Sequence, residues 1–299
     1  MTDARVTKLL TWYAHHKRRL PWRSTRDPYK ILVSEVMLQQ TQVSRVIPFY
    51  TRWITRFPSW TSLARAKTVA LIDAWTGLGY NRRALQLREA ARRVITQGRV
   101  PMSVDAWRAL PGVGPYTAAA VHAFSRHARV VAIDTNVRRV AGRVFLGVAY
   151  PTICDDPRLE RTLERVVPNT DAVWMLPQAF MDLGAAVCTP TSPDCAACPL
   201  RNACRAAPKF LNGRAGTKPR TISTERRHAN KRYPDRIYRG RILRAVRDRG
   251  THGLRSLGAT IDDTFVPRND GRWLSAMIDR LVKDGLLEKT HDTLRIPRT

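Results

Sequence analysis

Apolar positions recur at three- and four-residue intervals through most of the chain, the spacing that marks amphipathic helices. Leu9, Leu10, Tyr13 and Ala14 predict a first helix over Val6–Lys17. KILVSEVMLQQTQVSRVI, residues 30–47, predicts one continuous helix on which Ile31, Glu35 and Leu38 share a face, with Gln39 and Gln42 beside it. Further helical patterns run over 49–57, 60–65, 68–75 and 82–94, interrupted at Gly77-Leu78-Gly79-Tyr80. No strand-type alternation occurs between residues 22 and 130. A helix follows the turn LPGVG at 110–114, and Val130–Ile133 reads as a short buried run leading to Asp134. Helices are then predicted over 138–145, 159–166 and 173–183. Near the end, 238–246 is helical and Leu274, Met277, Ile278, Leu281 and Val282 form a helical stripe. KDGLLEKTHDTLRIPR then predicts two short strands about a polar turn, so the last segment resembles a winged-helix module. The fold class is mainly α, without internal repeats or low-complexity tracts.

Three stretches carry candidate chemistry. Gly112 and Gly114 flank Val113, which lets the backbone turn tightly and approach another molecule. Pro115 suits a first helical position, and N–H groups at such a helix start favour an anion, usually phosphate. The alternative is an ordinary loop, with Asp134 merely capping the next helix. Glu35 sits among aliphatic neighbours, where lost hydration favours the protonated carboxyl and suits a general acid near neutral pH; the alternative is a solvated helix glutamate. The Gly-Leu-Gly-Tyr turn reads either as a wedge for a base stack, through Leu78 and Tyr80, or as a plain helix link.

Charge narrows the partner. Lys and Arg number 52 against 24 Asp and Glu, a formal +28 over 299 residues, which points to a polyanion: nucleic acid before an anionic membrane. No apolar run approaches the roughly 18–20 residues of a spanning helix, and no membrane partner is expected. The N-terminus lacks the uninterrupted apolar core of a signal peptide, so a cytoplasmic, nucleoid-associated protein is expected. In a reducing compartment cysteines serve as ligands or free thiols rather than disulfides. Cys188, Cys195, Cys198 and Cys204 are separated by six, two and five residues, whereas Cys154 stands apart as a free thiol. Zinc sites usually pair their ligands in two short couples; four thiolates grouped this closely also wrap an iron–sulfur cluster. A metal centre is expected, and the spacing leaves its kind open.

LPWR (20–23), DPYKILVSEVMLQQTQV (27–43), GLGY (77–80), LPGVGPYTAAAV (110–121), DTNVRRV (134–140), QAFMDLGAAVC (178–188) and the four-cysteine loop, in that order, resemble the helix-hairpin-helix DNA glycosylases, specifically the MutY-type adenine glycosylases. The resemblance covers residues 20–204. It implies a six-helix domain beside a helical domain holding a [4Fe–4S] cluster on Cys188, Cys195, Cys198 and Cys204. Gly112, Val113 and Gly114 would hold DNA phosphate. Gln40, Thr41, Leu78 and Tyr80 would contact DNA, Gln40 and Tyr80 within the base stack, while the target base is extruded. Trp22, Arg23, Leu38 and Gln178 would line the base pocket. Glu35 would protonate the departing adenine, Asp134 would stabilise the oxocarbenium-like sugar, and Asn136 would orient Asp134. At position 116 relatives resembling endonuclease III place a lysine as lyase nucleophile; Tyr116 has no amine, which implies base removal without an efficient lyase step. Mismatch-specific thymine glycosylases also carry tyrosine there.

Three features depart from the pattern. Residues 205–299 are too short for the Nudix-like domain that commonly reads 8-oxoguanine; Pro177-Gln178 replaces the family's Asn-Gln; and GLGY is followed by Asn81, with a first cysteine loop, TPTSPD, lacking basic residues. The expected division is 1–21 with 131–207 as the iron–sulfur domain, 22–130 as the six-helix domain, 208–235 as a mobile basic linker and 236–299 as the winged-helix-like module. The expected protein is a monomeric enzyme acting on mismatched double-stranded DNA, excising adenine opposite 8-oxoguanine or guanine. The alternatives are a thymine or uracil mismatch glycosylase and a non-catalytic iron–sulfur, winged-helix DNA-binding regulator.

Overall fold

The structure, a computed structural model, describes residues 3–167, 171–219, 225–249 and 251–298. In chain order its helices are α1 (Ala4–His16), α2 (Pro28–Leu38), α3 (Val43–Arg56), α4 (Trp60–Ala64), α5 (Thr68–Trp75), α6 (Arg82–Thr96), α7 (Val104–Arg108), α8 (Pro115–Arg126), α9 (Thr135–Ala141), α10 (Asp156–Val166), α11 (Met175–Ala186), α12 (Ala207–Leu211), α13 (Asp235–Arg249), α14 (Leu254–Ile261) and α15 (Pro267–Lys283). Strands β1 (Thr251–Gly253), β2 (Glu288–Thr290) and β3 (Thr293–Arg295) form one antiparallel sheet in the order β1-β3-β2. Among the described residues, no helix is long and apolar enough to cross a membrane.

The single helix expected over 30–47 is two helices. Gln40 takes a left-handed conformation, φ 56°, and Thr41 N–H donates to the Leu38 carbonyl at 3.2 Å, so the chain turns between α2 and α3. The second helix then runs on through Pro48 instead of restarting at residue 49. Likewise, α9 passes into a π-helical turn over Gly142–Leu146, with Pro151 so close to Gly142 that a Cβ there would stand 2.5 Å from its ring. Of the short run before Asp134, only Ala132 is fully buried.

The chain divides into two compact units, cut differently from the expected domains: residues 1–35, 101–109 and 113–221 form one, and 36–100, 110–112 and 222–299 the other. In the first unit α1 places Val6, Leu9 and Tyr13 in a core with Val137 and Val140 of α9, Leu163 of α10 and Phe180 of α11. This core joins the N-terminal helix to the segment after Ile133.

In the second unit Trp53 and Trp75 are fully buried and meet edge to face at 5.2 Å. Ile72 of α5 enters the core of the C-terminal module, alongside Tyr238, Ile242, Met277 and Leu281. Ion pairs cross the same junction: Arg82 to Asp284 at 3.3 Å and Arg247 to Asp73 at 3.8 Å. The expected linker is partly built into this unit. Lys231 is 3% exposed and bonds Asp262 at 2.8 Å and Asp270 at 2.6 Å, its ammonium 4.7 Å from the Trp273 ring. Residues 220–224 of that linker lie outside the described residues.

Candidate active site

Helix α2 is buried almost throughout: Ile31, Leu32, Val33 and Met37 are at most 2% exposed. Glu35 lies in their midst at 6% exposure, which excludes the solvated-glutamate alternative. Burial pushes its carboxyl up to about 7; the Tyr116 hydroxyl donates to it and opposes the rise, the Asp134 charge adds to it, and Arg23 opposes it. Two carboxyls a hundred residues apart in sequence therefore act on each other in one electrostatic neighbourhood. Tyr116 stands on the first turn of α8, and its hydroxyl is held well above the ordinary phenol range by burial and by the Glu35 and Asp134 charges.

Asp134 is the N-cap of α9. Its Oδ1 accepts from the backbone N–H of Asn136 at 2.9 Å and of Val137 at 2.6 Å, and its Oδ2 from Asn136 Nδ2 at 2.8 Å. The cap and the candidate functional residue are thus the same group, and three donors hold its carboxyl at a fixed place. Asn136 is fixed in turn by Arg139, whose Nη2 donates to its Oδ1 at 2.9 Å and to the Gly184 carbonyl at 2.8 Å, while Nε reaches the Cys188 carbonyl at 2.8 Å.

Trp22 and Gln178 are buried, at 7% and 4% exposure. Gln178 accepts from the Tyr13 hydroxyl at 3.2 Å and donates to the Trp174 carbonyl at 3.3 Å. Arg23 makes a two-pronged pair with Asp182, at 2.7 and 2.9 Å, with its guanidinium 5.9 Å from the Tyr13 ring. Asp182 also takes Arg18 at 2.6 Å; burial raises its carboxyl, and the arginines more than reverse this. Asp182, Arg139 and Tyr13 were not identified from sequence. Their signal was helical spacing: Asp182 falls four residues after Gln178, and Arg139 three after Asn136.

In the other unit the residues expected to meet DNA fall on turns. Gln40 is exposed at φ 56° and Tyr80 is 38% exposed at φ 49°, while Thr41 and Leu38 are half-buried. Leu78 is a correction: at 7% exposure, with its N–H on the Trp75 carbonyl, it is a core residue of its turn, and Tyr80 is the exposed side chain there. Arg83, another residue missed from sequence, ties both turns together. Its Nη1 donates to the Gln39 carbonyl at 2.5 Å and its guanidinium lies 4.5 Å from the Tyr80 ring. At the turn before α8, Gly112 has φ 75°, and a Cβ there would stand 2.8 Å from Gln86. Gly112 and Gly114 are exposed while Val113 is buried, so the backbone of this turn is open to an approaching group.

Cys188, Cys195, Cys198 and Cys204 are free thiols lining one cavity with Leu183 and Arg143. Among the described residues no three His, Cys, Asp or Glu side chains converge as ligands of a single ion. Four sulfur donors lining one cavity are a donor set that an iron–sulfur cluster or a zinc ion takes. Burial pushes the Cys198 thiol up to about 11; a hydrogen bond with the Leu200 backbone opposes this, and charge on the neighbouring thiols adds to it. Arg143, 2% exposed, donates to Cys188 Sγ at 3.3 Å and to the carbonyls of Thr189 and Pro190 at 2.7 and 2.8 Å.

Residues 33–169 match a family model described as HhH-GPD superfamily base excision DNA repair protein. The adenine DNA glycosylase of Mycolicibacterium smegmatis is 40% identical over 292 residues, covering 95% of this chain and 93% of that one. Among solved structures, a thermostable thymine-DNA glycosylase superposes with a TM-score of 0.63 at 32% identity, over 68% of this chain and 95% of that one. A non-covalent endonuclease III–DNA complex superposes at 0.59 and 24% identity, over 69% and 95%, a likeness of fold.

Proposed function

Since the chain belongs to the adenine DNA glycosylases, within the HhH-GPD superfamily of base excision DNA repair proteins, we propose that it flips adenine out of double-stranded DNA where it is mispaired with 8-oxoguanine or guanine, and hydrolyses its N-glycosidic bond. The observation that carries this reading is Glu35: a carboxyl 6% exposed, held protonated to about pH 7 beside a second carboxyl capped by three donors. Purine is a poor leaving anion, so one acid must be neutral and the other charged. Glu35 gives its proton to a ring nitrogen as the electron pair of the C1′–N bond moves onto the base. Asp134, oriented by Asn136, faces the positive charge that develops on the sugar. Water then bonds C1′ and releases a proton, leaving free adenine and an abasic site.

Trp22, Arg23, Leu38 and Gln178 are assigned to the base, and Gln40, Thr41, Tyr80, Gly112, Val113 and Gly114 to the DNA. Tyr116 contributes a hydroxyl to Glu35 and offers no amine for a Schiff base, so strand cleavage by a lyase step is not expected. Cys188, Cys195, Cys198 and Cys204 are assigned to a [4Fe–4S] cluster in a monomeric protein. When bound, the cluster supplies iron–thiolate bonds that cross-link the loop, with a redox-capable centre. A second reading, thymine or uracil release from mismatches, is favoured by the likeness to the thymine-DNA glycosylase and by Tyr116.

Single-turnover base release on duplexes holding A:8-oxoguanine, A:G, T:G and U:G separates the two. Adenine release from the first pair with none from the others' pyrimidines is expected; preferential thymine or uracil release replaces the assignment. Efficient covalent trapping with borohydride overturns the absence of a lyase step.

A further inference from the structure

Most arginines of the C-terminal module are already committed. Arg239 shares Asp284 with Arg82, Arg280 pairs with Asp235 at 2.8 Å, Arg295 with Glu288 at 2.7 Å, and Arg236 with Glu225. Arg247 holds Asp248 at 2.6 Å, and Arg241 donates to the Ile261 carbonyl at 2.7 Å. Helix α15 differs. Its inner face, with Trp273, Leu274, Met277, Ile278 and Leu281, is core. Its outer face carries Arg268, Asn269, Arg272, Ser275 and Ala276 and, one turn further on, Asp279, all exposed; among the described residues neither arginine forms an ion pair, so the N-terminal half of this face is cationic. Positions 268, 272 and 275 fall on one side of a helix. Ser275 and Ala276 keep that side low, so a polyanion can approach the helix closely. Arg and Asn are also the side chains whose donors match the base edges of a major groove.

The mount of this helix is equally informative. Ile72 lies in the module's core, Asp284 holds Arg82, Arg247 reaches Asp73, and Leu85 lies 3.8 Å from a Cβ built on Gly285. These partners belong to α5 and α6, the two helices that flank the turn carrying Tyr80. Folded contacts within one unit, not a tether, therefore set the spacing between Tyr80 and α15. From Asp284 to Arg268 the helix spans about 24 Å at ~1.5 Å per residue, equivalent to roughly seven base pairs of B-form duplex.

We propose that the Arg268–Asn269–Arg272–Ser275 face of α15 is a second docking surface for double-stranded DNA, engaging intact duplex at a fixed offset from Tyr80. This rests on the reading of DNA as the substrate. The test uses the full chain and labelled duplexes with a central A:8-oxoguanine pair, a short core lengthened base pair by base pair on one side or the other. Affinity by anisotropy is expected to tighten in a single step once one arm, and only that arm, reaches the α15 face. R268S/R272S removes the step, weakens long-duplex binding about tenfold and lowers the salt slope by about 2. On the short duplex it leaves single-turnover base release at the wild-type rate. R244S/R249S, which removes two exposed arginines of α13, keeps the step. A long-duplex affinity unmoved by R268S/R272S, or an equal loss of slope from the α13 pair, overturns the proposal. Absent base release from wild type on the short duplex instead refutes the glycosylase reading, independently of any step.

Discussion

Two regions of this molecule bury carboxyls, and they do so to opposite ends. In the C-terminal module Asp262 and Asp270, at 4% and 5% exposure, receive the Lys231 ammonium between them, and Thr264 and the Val266 N–H supply further donors. Burial alone raises both carboxyls, and these bonds bring them below the usual range. Glu35 is as deeply buried, and the hydroxyl and guanidinium beside it do not offset the lost hydration, so its carboxyl stays high. A charge that is fully answered holds structure together; one left under-compensated is a proton source. Depth of burial does not separate a structural acid from a reactive one, and the supply of partners does.

The sharpest way to break this contrast is Glu35→Gln. Single-turnover adenine release should fall by roughly 10²–10⁴-fold, the range of general acid catalysis. Wild-type release should decline as pH rises through about 7, where Glu35 loses its proton. An undiminished rate in the variant removes Glu35 from the reaction.

The same residue sets a smaller, thermodynamic contrast. The folded carboxyl, near 7, binds its proton more tightly than an unfolded one near 4.5, so stability is lost as pH rises between those values. Glu35→Gln should therefore be more stable than wild type at pH 8, by roughly 3 kcal/mol, the free-energy equivalent of that displacement. The difference should vanish below pH 4.5. Asp262 and Asp270 carry the opposite sign: their contribution is complete above the ordinary carboxylate value and lost as pH falls through their lowered ones. Lys231→Met should leave two buried carboxylates without a cation, costing about 3–5 kcal/mol in the module, measured by denaturant unfolding. Equal stability would make that trio dispensable. The smallest effect is expected of Tyr116→Phe. Removing the hydroxyl that opposes the rise at Glu35 should move the alkaline limb of the rate profile to higher pH, and a shift to lower pH contradicts the hydrogen bond.

Legibility in the sequence followed the range of the interactions. Helix spans, the acid at position 35, the capping acid at 134 and the four cysteines were visible because periodicity and spacing are local. The break after Leu38 was not, since Gln40 carries no glycine or proline mark of a left-handed turn. Leu78 misread for a related reason: the glycines on either side announce a turn and are silent on which side chain folds under it. Arg83 and Asp182 escaped because their partners lie 44 and 159 residues away, and Arg139 because, beyond nearby Asn136, it holds the Cys188 carbonyl 49 residues on. Charge composition misled in one respect. Many arginines that make the chain look like a polyanion binder are engaged inside it, as Arg143 and Arg241 are.

Lys231 has a practical corollary for anyone cutting the chain into pieces. The hydropathy pattern invites a boundary at residue 236, just ahead of α13. A fragment starting there would lack the ammonium that Asp262 and Asp270 enclose, and would misfold or report an artificially weak domain. A cut upstream of residue 225 keeps Lys231 with its two acids, yet it still parts the module from Ile72 of α5, which lies in its core, and from Arg82 and Asp73, the partners of Asp284 and Arg247 across the junction.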